Sequence, residues 1–375
     1  LFPTALLDAV VVQKGYTPDM PGEFGGGAVQ LRTRDVPTKF FLRLNGTLGY
    51  QQGTTFKDGY RYSGGDHDWT GRDDGSRDLP DSLAQATSGG RVLRPQTPLN
   101  PGGASPAELE RYGEDVASAG FDTTRESMAP ETGLSGAIGN RWDFGDAGKF
   151  GVIGAFRYNQ AWDRNEEVRR TFNASNAGLE LADQLAIDDT RRNVDFSAFL
   201  NLGYELNPQN RFNATSVLLR QSEDRTKLST GIQDDQAARF TELRWTENQL
   251  FAQQFGGNHL FPSLNDLALD WQYTLARATR DEPATRKYRY DLDDDGTYSF
   301  SQRSDSNQLT WAQLDDHQRD LSVKAKLPFD FGGSTLDLSF GGERVERDRD
   351  AAIRSFSFSA AGPLARDPNL LGLPL

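Results

Sequence analysis

Apolar residues occupy alternate positions in several segments of the chain, and the residues between them are polar or small. Successive side chains of a β-strand point to opposite faces, so this alternation predicts strands with one apolar and one polar face. In 150–163 the even-numbered positions include Phe150, Val152, Gly154, Phe156, Tyr158 and Trp162. The odd-numbered positions include Gly151, Ala155, Arg157, Asn159 and Asp163. The pattern recurs in 132–144, 193–206, 267–277, 320–329 and 335–343, and less regularly in 211–221 and 239–261.

The polar positions of these alternating segments carry side chains that could be buried in a dry core only at a large cost in free energy. A water-filled or plugged lumen accommodates them, which favours an antiparallel transmembrane barrel. A soluble antiparallel sheet with one face in water alternates in the same way and is the alternative. The polar set is Arg157, Asn159, Asp195, Asn201, Asp270, Gln272, Lys324 and Asp337.

Composition narrows the class of protein. Mean hydropathy is −0.65, and no apolar run reaches the roughly 18 residues of a membrane-spanning helix. A barrel strand needs apolar residues only at alternate positions, so low hydropathy is compatible with a barrel. The net charge of −13 argues against nucleic acid as a partner. The absence of cysteine excludes disulfides, thiolate metal sites and thiol catalysis.

The links between the predicted strands alternate in length. Short links are predicted at 144–149, 207–210, 262–266 and 330–334, and long polar links at 55–131, 171–186, 223–238 and 280–308. Outer-membrane barrels have short periplasmic turns and long extracellular loops. Aromatic residues beside the short links are expected to form an interfacial girdle. They are Trp142, Phe144, Phe150, Tyr204, Phe212, Phe261, Trp271, Phe329 and Phe331.

The N-terminal segment reads as strand, rigid turn and strand. Prolines fix the backbone in the turn, and glycines allow positive φ or close approach. The segment "DAVVVQKGYTPDMPGEFGGGAVQLRTR" resembles the end of the plug domain of TonB-dependent outer-membrane receptors. Matching positions are Val12, Lys14, Gly15, Gly26, Gly27, Val29, Thr33 and Arg34. Residues 38–51 stand where the first barrel strand of that family follows, and 68–80 is similar to a stretch of its large members.

This resemblance implies an all-β fold: part of a 22-stranded, antiparallel up-and-down transmembrane barrel, preceded by the C-terminal hairpin of a plug. Residues 1–37 would be the end of the plug, and 38–375 would supply about nine barrel strands. The TonB box and most of the plug would precede Leu1. The implied gating hairpin contains Lys14, Gly15, Pro18, Pro21, Gly22, Gly25, Gly26, Gly27, Arg32 and Arg34.

The implied function is energised uptake of a scarce ligand across the outer membrane of a diderm bacterium. The ligand would be a siderophore, cobalamin, a glycan or a peptide, bound by extracellular loops and the plug. The partners would be the TonB–ExbB–ExbD complex, outer-membrane lipid and a surface lipoprotein. A porin or surface-adhesion barrel without a plug is the alternative, and a soluble lectin-like β-domain is a third.

Two loops contain candidate site residues. Aromatic and acidic side chains suited to stacking and hydrogen bonding on a ligand occur in 59–71, namely Tyr60, Tyr62, Asp66, His67, Asp68 and Trp69. The alternative is a loop packed on its neighbours. Asp291, Asp293 and Asp295 have the opening spacing of a calcium loop, but Gln302 stands where a bidentate Glu would close it. The alternative there is an acidic exposed turn.

Catalysis is not expected. His67, His259 and His317 lie in separate segments, and no G-x-S-x-G or H-E-x-x-H motif occurs. No cofactor is predicted other than calcium in the acidic loop.

Overall fold

The period-two segments form long strands in the computed structural model, which describes residues 7–13, 28–33, 37–117, 120–176, 178–303, 306–360, 362, 365 and 367–373. The strands are β1 (Leu7–Gln13), β2 (Ala28–Thr33), β3 (Phe41–Gly49), β4 (Asp58–Tyr62), β5 (Thr123–Ser127), β6 (Glu131–Asp143), β7 (Lys149–Ser175), β8 (Gly178–Asn207), β9 (Asn210–Gln233), β10 (Gln236–Phe261), β11 (Leu267–Leu292), β12 (Tyr298–Phe300), β13 (Gln308–Phe331) and β14 (Ser334–Ser357). The helices are α1 (Asp81–Ala86), α2 (Pro106–Ala117) and α3 (Pro368–Leu371).

One antiparallel sheet contains most of these strands. Its order is β14-β13-β11-β10-β9-β8-β7-β6-β3, and β12 pairs with β11 beside this path. Neighbours in the sheet follow one another along the chain, apart from the excursions that contain β4, β5 and β12. The predicted all-β, up-and-down architecture is confirmed at this level.

The register places the apolar parities of all nine long strands on one face. We call the apolar part of this face, next to the short turns, the belt. It comprises Leu42, Leu44, Leu48, Leu134, Ile138, Trp142, Phe150, Val152, Phe156, Tyr158, Phe196, Leu200, Leu202, Tyr204, Phe212, Leu218, Phe251, Phe255, Phe261, Leu267, Leu269, Trp271, Tyr273, Leu275, Leu321, Val323, Leu327, Phe329, Leu336, Leu338 and Phe340.

No second sheet covers the belt in the part of the chain that the structure describes. Phe156 is 38% exposed and Leu200 is 41% exposed, which is unusual for large apolar side chains in a regular sheet. On each described strand, none of the alternate positions between the first and last belt residues carries Asp, Glu, Lys or Arg. The first charges on this face stand opposite the outermost belt residues, as Arg344 does opposite Leu321 and Arg277 opposite Phe251. Among the uncharged polar exceptions, the Ser216 hydroxyl donates to Gln253 Oε1 at 2.5 Å.

The opposite face carries the predicted polar set, including Arg157, Asp195 and Lys324. It is not uniformly polar, however. Ala137, Ile153, Ala155 and Phe199 form a small buried cluster there. The cluster forms because Ala137 and Ala155 are cross-strand partners and Phe199 is the next partner in the same row.

The predicted link lengths are correct at one end of the sheet and only in part at the other, where the links from Gly49 to Glu131 and from Leu292 to Gln308 are long. The four short turns fall at the predicted places, for example between Asn207 and Asn210. The long links predicted at 171–186 and 223–238 are wrong, because β7, β8, β9 and β10 run through them and leave only two-residue turns. Polar and charged residues occur on both faces of these strands there, so the periodicity that reveals strands is lost although the backbone pairing continues.

Residues 53–117 and 120–128 fold into a separate layer, which we call the cap. It contains the antiparallel pair of β4 and β5, together with α1 and α2. The cap packs on the same face as the belt, on the parts of the strands that lie farther from the short turns. Its own apolar side chains and those of the sheet beneath form a core around Tyr62, Leu83, Phe121, Leu243 and Tyr288.

Helix α2 begins at Pro106, directly after Ser105, where the Ser-Pro-x-Glu sequence favours the start of a short helix. The Ser105 hydroxyl and backbone N–H both donate to Glu108 Oε2 at 2.8 Å. This reciprocal capping holds the first turn and lowers the pKa of Glu108 through the hydrogen bonds from Ser105. Among the helices of the described ranges, none has both the length and the apolar character that a membrane crossing requires.

The N-terminal strands pair as predicted, with Val11 opposite Gln30 in an antiparallel hairpin. Arg32 lies in β2. The other residues of the predicted gating hairpin lie outside the described residues: Lys14, Gly15, Pro18, Pro21, Gly22, Gly25, Gly26, Gly27 and Arg34.

Candidate functional site

The aromatic and acidic loop predicted as a ligand site lies in the cap. Tyr60 is half-buried in β4, with the Arg125 guanidinium carbon 4.6 Å from its ring centre. The other predicted residues divide into two groups. Tyr62 and Asp68 are each only 3% exposed, so they are out of reach of a ligand from solution. Asp66 and His67 are exposed, and Trp69 is 59% exposed. The exposed residues remain a predicted contact surface, whereas the two buried ones contribute to packing, as in the alternative interpretation of this loop.

Asp68 belongs to a buried ion pair that fixes the cap to the sheet. Arg77 donates to both carboxylate oxygens of Asp68, at 2.9 and 2.6 Å, and also to Asp73 Oδ1 at 2.5 Å. The Arg77 guanidinium carbon lies 5.4 Å from the ring centre of Tyr62 and 4.7 Å from that of Trp245. Trp245 belongs to β10, so the ion pair and the stacked rings join the two layers.

Two further charges from the sheet complete this cluster. Arg192 Nη2 lies 3.3 Å from Asp224 Oδ2 and 3.5 Å from Asp68 Oδ2. Burial raises the pKa of Asp224, and nearby Arg192 opposes that shift. Burial also raises the pKa of Tyr62, to which Asp224 adds. Burial lowers the pKa of Arg77, but the hydrogen bonds to Asp68 and Asp73 and the neighbouring charges together outweigh it, so the net shift is upward and Arg77 stays charged.

The cap meets the belt at the edge of the belt that lies farther from the short turns. The Tyr158 hydroxyl donates to the Trp69 carbonyl at 2.6 Å, and the Ser222 hydroxyl donates to the Gly71 carbonyl at 2.5 Å. Gly71 has φ +72°, and a Cβ there would lie 3.1 Å from a methyl group of Val194. Only glycine therefore fits this approach of the two backbones without strain.

The acidic segment predicted as a calcium candidate is a tight turn. Asp291 accepts a hydrogen bond from Arg289 Nε at 2.5 Å, and Asp295 accepts from the Thr297 N–H at 2.9 Å. Among the described residues, no three acidic, histidine or cysteine side chains come together as metal ligands. Asp291, Asp293 and Asp295 do not come together as such a group in this structure, and calcium binding by this turn stays a prediction.

A cavity of about 280 Å³ lies on the polar face of the sheet, beside the two-residue turn between β9 and β10. Its floor consists of two rows of cross-strand neighbours on β9, β10 and β11. One row is Lys227, Glu242 and Lys287, and the next is Ser229, Phe240 and Arg289. Gln233, Asp234, Arg303 and Ser306 complete the wall.

Arg289 is the most constrained cation of the cavity. It is 3% exposed, and its guanidinium carbon lies 5.0 Å from the ring centre of Phe240. Its Nε donates to Asp291, but its Nη2 has no hydrogen-bond partner within the described ranges. The next side chain along the strand, Tyr288, points through the sheet to the cap, where its hydroxyl donates to the Phe121 carbonyl at 2.7 Å.

Sequence reasoning did not find this cavity. Its floor joins residues from Lys227 to Arg289 that are distant in the chain, and only the register of three strands places them together. The one signal in the sequence is the Lys-x-Arg spacing of Lys287 and Arg289, which puts two cations on the same face of a strand.

Comparison with protein-family models, curated proteins and solved structures finds no match to this chain.

Proposed function

We propose that this protein takes up a scarce ligand across the outer membrane of a diderm bacterium, as part of a 22-stranded barrel closed by a plug. The observation that carries the proposal is the division of one up-and-down sheet into an uncovered apolar belt and a charged opposite face. Lipid is the environment that stabilises such a belt, and an aqueous lumen is the one that stabilises the charges.

The height of the belt supports this proposal. From Phe150 to Tyr158 the strand rises about 26 Å at about 3.3 Å per residue. With a strand tilt of about 40°, this length spans about 20 Å along the membrane normal, close to the apolar band of outer-membrane barrels. Beyond the belt the same face continues into charged residues such as Arg277 and Arg319, which belong in headgroups or water.

The plug and the energy source come from the resemblance of the N-terminal segment, which the antiparallel pairing of β1 with β2 supports. We propose the TonB–ExbB–ExbD complex as the partner that drives transport. Ligand would bind on the polar face near the end away from the short turns. Siderophores, cobalamin, glycans and peptides remain the proposed ligand classes. No catalytic role is proposed.

The lipid-facing assignment predicts a cysteine labelling pattern. The native chain has no cysteine, so single substitutions give an unambiguous signal. In native outer membranes, Phe156→Cys and Leu200→Cys are expected to react with a lipid-soluble maleimide and to resist a membrane-impermeant one. Gln272→Cys, on the opposite face, should instead react with the impermeant reagent, because its thiolate would meet water. Rapid labelling of Leu200→Cys by the impermeant reagent would contradict lipid exposure.

A plugged receptor and an open porin are distinguished by conductance. The intact protein in planar bilayers is expected to remain closed, and its detergent-solubilised form to bind the purified periplasmic domain of TonB. A peptide copying the TonB box should compete for that binding. Stable open channels together with no TonB binding would favour the porin alternative and contradict transport driven by TonB.

A further inference from the structure

The cavity on the polar face is rich in cations, although the whole chain is acidic. Its wall contains Lys227, Lys287, Arg289 and Arg303, against the carboxylates of Asp234 and Glu242. The chain as a whole has a net charge of −13. A local excess of positive charge in such a protein concentrates anions at that place.

We infer that this cavity binds the oxyanion group of a small ligand, a carboxylate or a phosphate, through Lys227, Lys287 and Arg289.

Arg289 supplies the directional part of this site. Its Nε is occupied by Asp291, and stacking on Phe240 fixes the plane of its guanidinium group. Its Nη2 is a buried donor without a partner in the described part of the chain. A buried donor left unsatisfied is costly, and an anionic oxygen from a ligand would satisfy it with a charge-assisted hydrogen bond.

The two lysines supply charge on both sides of the floor. Lys227 and Lys287 flank Glu242 in one row, and neither makes an ion pair with another described residue. The Glu242 carboxylate already lies 3.8 Å from Arg244 Nη1, so its charge is shared with a cation outside the cavity wall. The lysine ammonium groups are therefore available to a ligand anion.

The size of the cavity limits the ligand group. A volume of about 280 Å³ lies at the lower end of small-molecule pockets, enough for a phosphate or a short polycarboxylate and its nearest atoms. This inference rests on the proposed uptake function, because an anion reaches the cavity only if the polar face of the sheet meets water. It deepens that function by naming a class of ligand. It restricts the substrate class to ligands that carry an acidic oxygen group.

Titration calorimetry of the intact, detergent-solubilised protein tests the inference, with inorganic phosphate and citrate as separate probes. We expect one of these anions to bind with one-to-one stoichiometry, and Lys227→Gln/Lys287→Gln to weaken that affinity about tenfold or more. Arg289→Gln should weaken it similarly. Lys57→Gln removes the same charge from the exposed surface of the cap and should change affinity by less than about twofold.

Binding of phosphate alone or citrate alone supports the inference and identifies which oxyanion the ligand carries. Failure of both probes to bind the wild-type protein, or equal affinities in the lysine variant and the Lys57→Gln control, would overturn it. The lysine variant keeps the test decisive if Arg289→Gln does not fold. Loss of TonB binding with anion binding intact would count against the proposed transport only.

Discussion

Phe255→Arg is expected to prevent stable assembly of the protein in the outer membrane. Phe255 is 41% exposed on the belt, and the proposed environment of its side chain is lipid. An arginine on the lipid face near the middle of the bilayer destabilises a barrel by about 2–4 kcal/mol, and the contact of the phenyl ring with lipid is lost as well. The expected readout is loss of the protein from outer-membrane fractions and a lower free energy of unfolding in lipid vesicles.

Gln272→Arg is the matched control. Gln272 lies on the adjacent strand, one row from Phe255, but its side chain belongs to the polar face and is exposed there. The same arginine at this position would meet the aqueous interior, so membrane assembly and unfolding free energy should change little. If both variants assembled equally well, or if Gln272→Arg alone failed, the belt would not face lipid.

The strands nearest the short turns could be predicted because their two faces differ. In 267–275 each apolar residue alternates with a small or polar one, and β11 begins at Leu267 as expected. The continuation of the same strand to Leu292 could not be predicted, because charged residues there occupy both parities. Long strands outside the belt are held by backbone pairing and cross-strand ion pairs, neither of which leaves a period in a single sequence.

The cap shows a second limit of sequence reasoning. Its one strong local signal, Ser105 with Glu108, correctly located α2. The remainder of the cap sequence is rich in Pro, Gly and charged residues and reads as a loop. It folds because its few apolar residues, which are far apart in the chain, pack against the sheet. Tyr62 contacts Arg77 and Arg286, which come from the cap and from β11 respectively. Such long-range pairs give polar segments a fixed structure that local patterns do not reveal.

Arg77→Met is expected to detach the cap from the sheet. The substitution keeps the size of the aliphatic part of the side chain but leaves the Asp68 carboxylate, 3% exposed, without its bidentate partner, and Arg192 Nη2 at 3.5 Å is then its nearest cation. Removing one member of a buried pair typically costs about 3–5 kcal/mol, because the remaining charge stays desolvated. Hydrogen exchange and limited proteolysis should therefore speed up in the cap, while the belt strands keep their protection.

Two further variants separate this explanation from a general loss of charge. Arg344→Met removes an arginine that pairs with Glu346 and is 78% exposed, and surface pairs contribute only about 0–1 kcal/mol, so cap protection should be unchanged. Arg77→Met/Asp68→Leu also removes the most deeply buried carboxylate beside Arg77, and part of the protection should return, since only Asp73 is then left without its hydrogen bond from Arg77. If the double variant were as unprotected as Arg77→Met, the stacking of Arg77 between Tyr62 and Trp245, rather than the ion pair, would hold the cap in place.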